Sequence, residues 1–172
     1  MMRTAVTVLA FSLAAAGAFA QTNPIIAEQK RAYEMNRDNL IKAAEKMPEA
    51  DYSFKPTPEM QSFGERIAHI AGQIGTCSML TGERKPNPAA GKTSKADIVA
   101  ALKASFEACD AAWASMNDKT AMEMMAGRGG QQNSKLGMLI RNTMHDTELY
   151  GYIAPYMRLK GVVPPTSDRS GR

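Results

Sequence analysis

The 172-residue sequence is poor in the residue types that carry most recognisable chemistry, with two His, two Cys, one Trp, five Tyr and five Phe. Basic residues exceed acidic ones by only 21 to 17, and no basic run is longer than two residues. The small excess of basic residues and the scarcity of aromatic side chains for base stacking both argue against nucleic-acid binding. No apolar run reaches the roughly 20 residues that a transmembrane helix needs, so we predict no membrane span. A hydrophobic content of 44% is nevertheless typical of one globular domain.

The first 20 residues are typical of a secretory signal peptide. A short positive start ends at Arg3, a mostly apolar segment runs from Ala5 to Ala16, and small residues at Ala18 and Ala20 suit signal peptidase. The apolar segment is too short to span a bilayer. We therefore predict cleavage after Ala20 and a periplasmic or secreted location. The alternative is an uncleaved amphipathic start.

Apolar residues recur at helical spacing in four segments of the mature chain, each bounded by capping or stop signals. We predict a first helix that opens at Asn23-Pro24 and ends before Pro48, and a second that is capped by Ser62 and ends at Gly82. A third helix is capped by Thr93 or Ser94 and reaches Met116. A fourth runs from about Lys135 to Lys160. Residues 117–134 are expected to be mostly irregular, with a short helix around 121–125. Because no alternation of period two appears, we predict no β-sheet.

The predicted fold is an all-α, antiparallel four-helix bundle with two long connections. It occupies residues 21–165, between the signal peptide of residues 1–20 and a flexible tail of residues 166–172. The fourth helix is apolar on two sides, so one side is expected in the core and the other to line a pocket or a subunit contact. The residues of that second side are Met138, His145, Leu149, Tyr152 and Tyr156. Homodimerisation through such a face is the expectation for a bundle of this kind.

The two cysteines are predicted to form a disulfide bond. Cys77 lies near the edge of the apolar stripe of the second helix, and Cys109 lies in the middle of that of the third. The two faces meet in the core, and the predicted compartment is oxidising. Two buried free thiols are the alternative.

The two histidines lie on separate predicted helices, His69 on the second and His145 on the fourth. Inward-pointing ligands from facing helices are a common way to build a metal site in a bundle. Neutral imidazole is a frequent ligand of zinc, nickel and iron. On spacing alone, two ordinary hydrogen-bonded side chains remain the simpler interpretation.

Two long runs of the sequence resemble the DinB-like family of bacterial four-helix proteins, most of all its secreted branch. They are KAAEKMPEADYSFKPTPEMQSFGERIAHIAG from Lys42 to Gly72 and LGMLIRNTMHDTELYGYIAPYMRLKGVVPPTS from Leu136 to Ser167. The contexts of Cys77 and Cys109 add to the resemblance, which covers nearly all of the mature chain. The resemblance implies the four-helix fold that the periodicity predicts.

The resemblance also implies a three-histidine metal centre, with one ligand from the second helix and an H-x-x-x-H pair from the fourth. His69 and His145 match the first two positions, but the third is Leu149, which cannot bind a metal. A divalent zinc, nickel or iron ion is therefore expected to bind weakly or not at all. Glu148 is a candidate substitute ligand. Asp146 either orients a histidine or is a solvated helix residue.

Relatives with known chemistry resemble metal-dependent thiol transferases or hydrolases, in which the metal activates a thiolate or water. We interpret this chain as a secreted DinB-like protein with an incomplete metal centre, whose function is otherwise unassigned. Its vacant site is expected to be an apolar pocket lined by Gln73, Met138, Tyr152 and Tyr156, for an unidentified small molecule or none. The alternative is a metal-dependent hydrolase or thiol transferase that uses His69, His145 and Glu148.

A third interpretation concerns the methionine-rich segment that contains Met122, Met124 and Met125. Thioethers are soft ligands that select Cu(I), and neighbouring glycines make the segment flexible. The simpler interpretation is that these methionines fill irregular gaps in the core, and we favour it.

Overall fold

The structure is a computed structural model that describes residues 23–170. Its helices are α1 (Pro24–Lys46), α2 (Phe63–Ala71), α3 (Ile74–Thr81), α4 (Lys95–Ala114), α5 (Asp118–Ala121) and α6 (Lys135–Leu159), and its strands are β1 (Met124–Ala126) and β2 (Gln132–Ser134). Short 3-10 turns cover Glu49–Asp51, Arg128–Gly130 and Pro165–Ser167. The predicted signal peptide lies outside the described residues. No helix within residues 23–170 is long and apolar enough to cross a membrane.

The predicted all-α four-helix bundle is confirmed, with α1, α4, α6 and the consecutive pair α2–α3 as its four arms. α1 runs antiparallel to α4, since Met47 at the end of α1 meets Lys95 at the start of α4 and Tyr33 meets Phe106. Along the other side of α4, Ser105 bonds Ala71 and Cys109 bonds Cys77, so α2–α3 and α4 run in the same direction. The bundle therefore contains antiparallel and parallel neighbours, which corrects the prediction that its helices are antiparallel throughout.

The second predicted helix is two helices that meet at Gly72 and Gln73. At this break the backbone N–H groups of Gly72 and Gln73 donate to the carbonyl groups three residues earlier, at His69 and Ile70, each at 3.0 Å. Such bonds tighten the turn and rotate the chain that follows. A Cβ atom on Gly72 would lie 2.9 Å from the His69 carbonyl oxygen, so glycine permits the tight turn.

A two-stranded hairpin between α5 and α6 corrects the prediction that the chain has no sheet. β1 and β2 pair antiparallel, with Met125 opposite Asn133. Gly129 and Gly130 adopt positive φ angles of 68° and 78° in the connecting turn. Strands of three residues are too short to show a period of two, which is why the sequence pattern missed them. The short helix predicted around 121–125 is α5, which ends at Ala121.

The predicted disulfide bond between Cys77 and Cys109 is present, and it links α3 to α4 in the core with a Cα–Cα distance of 4.8 Å. Both residues are fully buried among apolar side chains from all four arms of the bundle. The bond therefore ties α3, which continues the arm that begins with α2, to α4.

The chain continues to pack beyond the predicted domain boundary at residue 165. The Tyr150 hydroxyl accepts a hydrogen bond from the backbone N–H of Thr166, and the Asp168 carboxylate accepts one from Lys46 Nζ at 2.7 Å. Gly161, with a φ angle of 71°, ends α6 and turns the chain back toward α1. Residues 166–168 therefore contact the bundle, although the sequence places them in the tail.

Candidate metal centre

α2 and α6 pack antiparallel, and a row of side-chain contacts connects them across the break between α2 and α3. The contacts, in order along α2–α3, are the Tyr156 hydroxyl donating to the Gln61 carbonyl, Arg66 against the Tyr152 ring, His69 against His145, and Asn142 Nδ2 donating to Gln73 Oε1. We call this row the α2–α6 seam. It places the two histidines between an exposed aromatic contact and a buried amide contact.

The structure brings His69 and His145 together. Their Nε2 atoms lie 3.3 Å apart, and the ring planes cross at 78°. The capping box of Ser62 and Glu65 sets where α2 begins, and this places His69 in its last turn. Both residues are exposed, and the His145 side chain retains 51% of its accessible surface. The pair therefore lies at the surface of the bundle, whereas ligands of a bundle site usually project into its interior.

Two of the three ligand positions fit a metal ion, and the third does not. Two zinc–nitrogen bonds of about 2.0–2.1 Å at a tetrahedral angle place their nitrogens roughly 3.3–3.4 Å apart, which matches the observed separation. At the third position, Leu149 is 2% exposed and has no donor atom. Within residues 23–170, no group of three His, Cys, Asp or Glu side chains is arranged to hold a metal ion. The chain thus supplies a two-nitrogen site.

Glu148 lies beside His145, on the far side of the ring from His69. Its Oε2 atom is 3.7 Å from His145 Nδ1, and its Oε1 atom accepts a hydrogen bond of 2.8 Å from the Tyr152 hydroxyl. The carboxylate therefore faces the nitrogen of His145 that points away from the pair.

The surroundings of His69 favour its neutral form. Partial burial lowers the pKa of His69, and the neighbouring His145 and Arg66 lower it further. Metals bind imidazole in its deprotonated, neutral state. The electrostatics of the site therefore suit a metal-binding nitrogen at neutral pH.

Gln73, Asn142 and Asp146 form a polar cluster in which Gln73 and Asp146 are buried and Asn142 is half-buried. Asn142 Nδ2 donates to Gln73 Oε1 at 2.9 Å and to Asp146 Oδ2 at 3.3 Å. Asp146 is 1% exposed, and burial raises its pKa well above the usual value. It is therefore a core residue and not a solvated one, and its hydrogen bond goes to Asn142. Gln73 Nε2 and Asp146 Oδ1 have no hydrogen-bond partner in the described part of the chain.

The structure divides the predicted pocket residues into two groups. Gln73, Met138 and Tyr156 are buried, with 7%, 9% and 1% of their surface exposed. Tyr152 is 45% exposed and lies at the surface beside Arg66. Only Tyr152 is therefore open to a ligand in solution.

The methionine-rich segment lies at the α5–β1 corner, and it does not fill the core as we expected. Met122 and Met124 are 71% and 58% exposed, while Met125 packs partly against the core. The expectation that these methionines are core filler is therefore wrong for Met122 and Met124.

Arg66 is the residue of this region that the sequence pattern missed. It lies three residues before His69 on α2, and its guanidinium carbon is 5.0 Å from the centre of the Tyr152 ring. An i, i+3 spacing from His69 is the only signal in the sequence, and it applies to many surface residues.

The fold and this site define a helical-bundle protein with a surface histidine pair on two antiparallel helices. A family model described as the DinB superfamily matches residues 32–153. The chain belongs to the DinB superfamily.

Comparison with solved structures agrees with this assignment. A DinB-like protein from Bacillus cereus ATCC 10987 has a TM-score of 0.68 at 19% identity, with 81% of this chain and 95% of that chain covered. The DinB-like protein YjoA from Bacillus subtilis has a TM-score of 0.63 at 17% identity, covering 86% and 99%. A mycothiol-dependent maleylpyruvate isomerase has a TM-score of 0.55 at 16% identity, covering 77% and 65%. A search of curated proteins found no significant match.

Proposed function

We propose that this protein is a secreted DinB-superfamily member with an incomplete metal centre, which binds a divalent ion weakly through His69 and His145. The observation that carries the proposal is the 3.3 Å separation of the two Nε2 atoms beside a buried leucine at the third ligand position. Catalytic zinc sites normally use three protein ligands and an open position. A two-nitrogen site leaves too few protein bonds to hold the ion tightly, so we do not assign hydrolysis or thiol transfer to it.

Secretion is part of the proposal and is supported by two features of the chain. The charged start, apolar segment and small residues that precede Gln21 have the order of a secretory signal. The Cys77–Cys109 disulfide bond is compatible with an oxidising compartment. Mass spectrometry of the exported protein should find a mature N-terminus at Gln21.

A metal-dependent hydrolase or thiol transferase is the second candidate, and the exposed Glu148 carboxylate favours it. This candidate requires the Glu148 side chain to rotate until its carboxylate lies beside the two Nε2 atoms as a third ligand. The structural relative that is a mycothiol-dependent isomerase has the same fold, but at 16% identity it supports the fold alone. In its present position the Glu148 carboxylate is held by Tyr152 on the Nδ1 side of His145, which favours the first candidate.

The test is a set of metal titrations on the mature protein after removal of bound ions with a chelator. Zn²⁺, Ni²⁺ and Fe²⁺ are titrated by calorimetry against the wild type, His145→Ala and Leu149→His. We expect weak binding by the wild type, none by His145→Ala and tight stoichiometric binding by Leu149→His. Tight stoichiometric binding by the wild type would support the enzyme, and wild-type binding that survives in His145→Ala would contradict the site.

Homodimerisation is proposed as well, without a role in the metal site. Light scattering after size-exclusion chromatography gives the mass in solution and decides between a monomer and a dimer.

A further inference from the structure

The half-buried Arg66 side chain has no acidic partner in the part of the chain that the structure describes. Within residues 23–170 no carboxylate lies within 4 Å of its guanidinium, and its Nε atom is buried without a hydrogen-bond partner. Arg37, which is also half-buried, bonds the carboxylates of Asp38 and Asp110. Buried cationic groups are normally paired, so an unpaired guanidinium beside two imidazoles needs an explanation.

Arg66 belongs to the same surface patch as the histidine pair. It lies three residues before His69, one turn away on the same side of α2. Across the seam, its guanidinium rests on the half-exposed ring of Tyr152. Two helices thus place one cation, two imidazoles and one aromatic ring together at the surface.

The Glu148 carboxylate borders this patch. It accepts the hydrogen bond of the Tyr152 hydroxyl and lies by His145 Nδ1, and within residues 23–170 it makes no ion pair with Arg66. The Arg66 guanidinium is therefore available to pair with a ligand from solution.

We propose that Arg66, His69, His145 and Tyr152 form a binding site for the carboxylate group of a small molecule. A guanidinium presents a planar fork that pairs bidentately with an oxyanion, and stacking on an aromatic ring holds that fork flat. The exposed Tyr152 ring offers an apolar surface for the body of the ligand. This inference rests on the proposed function and deepens it. The carboxylate of the bound molecule would lie beside the two imidazole nitrogens, where Leu149 supplies no ligand.

Carboxylate binding is tested on the metal-free protein, so that it does not depend on metal affinity. Sodium acetate is added to the protein in place of sodium chloride, so that the ionic strength stays constant. Nitrogen NMR follows the signals of the Arg66 Nε–H group and of the two imidazoles. Acetamide is the neutral control of the same shape. One charge-assisted pair at the surface predicts a dissociation constant of roughly 10–100 mM.

Three variants isolate the contribution of Arg66. We expect Arg66→Gln to weaken acetate binding at least about tenfold and Arg66→Lys, which keeps the charge, to retain part of it. Arg158→Gln removes an exposed arginine elsewhere on α6 and should bind acetate as the wild type does. Circular dichroism confirms that each variant is folded, and Arg66→Lys covers the case in which Arg66→Gln is not.

Several results would overturn the proposal: no saturable shift with acetate, an equal shift with acetamide, or unchanged binding in Arg66→Gln. Inorganic phosphate is the second anion tested, and if it binds more tightly than acetate the assignment to a carboxylate is wrong. A zinc titration with and without acetate separates the two proposals. Weak zinc binding that acetate does not enhance leaves the proposed function standing and contradicts the inference about the shared site.

Discussion

Glu148 lies on the side of the His145 ring that faces away from His69. Its Oε2 atom is 3.7 Å from Nδ1, whereas Nε2 of the same ring is 3.3 Å from His69 Nε2. A carboxylate on the outer nitrogen favours the tautomer that carries its proton there and leaves Nε2 with a free lone pair. In this position Glu148 would support His145 as a ligand and would not be one itself.

Glu148→Gln should therefore weaken zinc binding by no more than about tenfold. This is the lower end of the effect of removing a group that contacts a metal ligand but not the metal. The glutamine keeps the size of the side chain and an oxygen for the Tyr152 hydroxyl, and loses only the charge. Calorimetric zinc titration of this variant is compared with that of Glu107→Gln, an exposed control on α4. Loss of binding as complete as in His145→Ala would mean that Glu148 rotates to become the third ligand.

Leu149→His should restore a three-histidine site. A polar ring in place of a leucine that is 2% exposed costs about 1–3 kcal/mol of unfolding free energy without metal. Zinc should then bind at least about 100-fold more tightly than to the wild type, since a ligand contributes more than an outer contact. Zinc should also raise the melting temperature of the variant. Leu139→His, at another buried position of α6, should show the same cost and no gain from zinc.

Removal of the disulfide bond should lower stability by about 3–4 kcal/mol, because the bond closes a loop of 32 residues in the unfolded chain. The measurement is guanidinium denaturation of Cys77→Ala/Cys109→Ala beside the wild type with and without reductant. The reduced wild type should approach the double variant. A difference below about 1 kcal/mol would contradict the predicted contribution of the bond.

Stability should fall as the pH rises above about 10, because burial raises the pKa of the phenols of Tyr33 and Tyr52 well above the usual value of 10.0. The unfolded chain releases these protons near pH 10 while the folded chain keeps them, so an increase in pH favours unfolding. Denaturation is measured from pH 8 to pH 11 for the wild type and Tyr52→Phe. The variant should lose less stability over this interval, and equal slopes would contradict the assignment to Tyr52.

Several features of the fold follow from local sequence and are present in the structure. Ser62 and Glu65 form the predicted capping box, and Gly161 ends α6. Such signals act over three or four residues, so they can be recognised without knowledge of the fold. The helical stripes also placed Cys77 and Cys109 on faces that meet.

Other features depend on contacts between distant segments and were missed or misread. The sequence leaves Asp146 as either a residue that orients a histidine or a solvated helix residue, but the packing of α6 buries it beside Asn142. The break at Gly72 separates α2 from α3 although the apolar stripe continues through it. The strands β1 and β2 are defined only by their pairing with each other.

By itself the sequence determined that the chain is helical and where most helices begin and end, because these properties depend on residue type and short-range periodicity. Its resemblance to the DinB-like family implied that Leu149 stands at a ligand position of the metal centre. Only the tertiary structure decided that His69 and His145 meet at 3.3 Å, that they do so at the surface, and that Arg66 joins them with no acidic partner among residues 23–170. The reason is physical: distances across two helices depend on how side chains from all four arms fill one core, and no local segment contains that information.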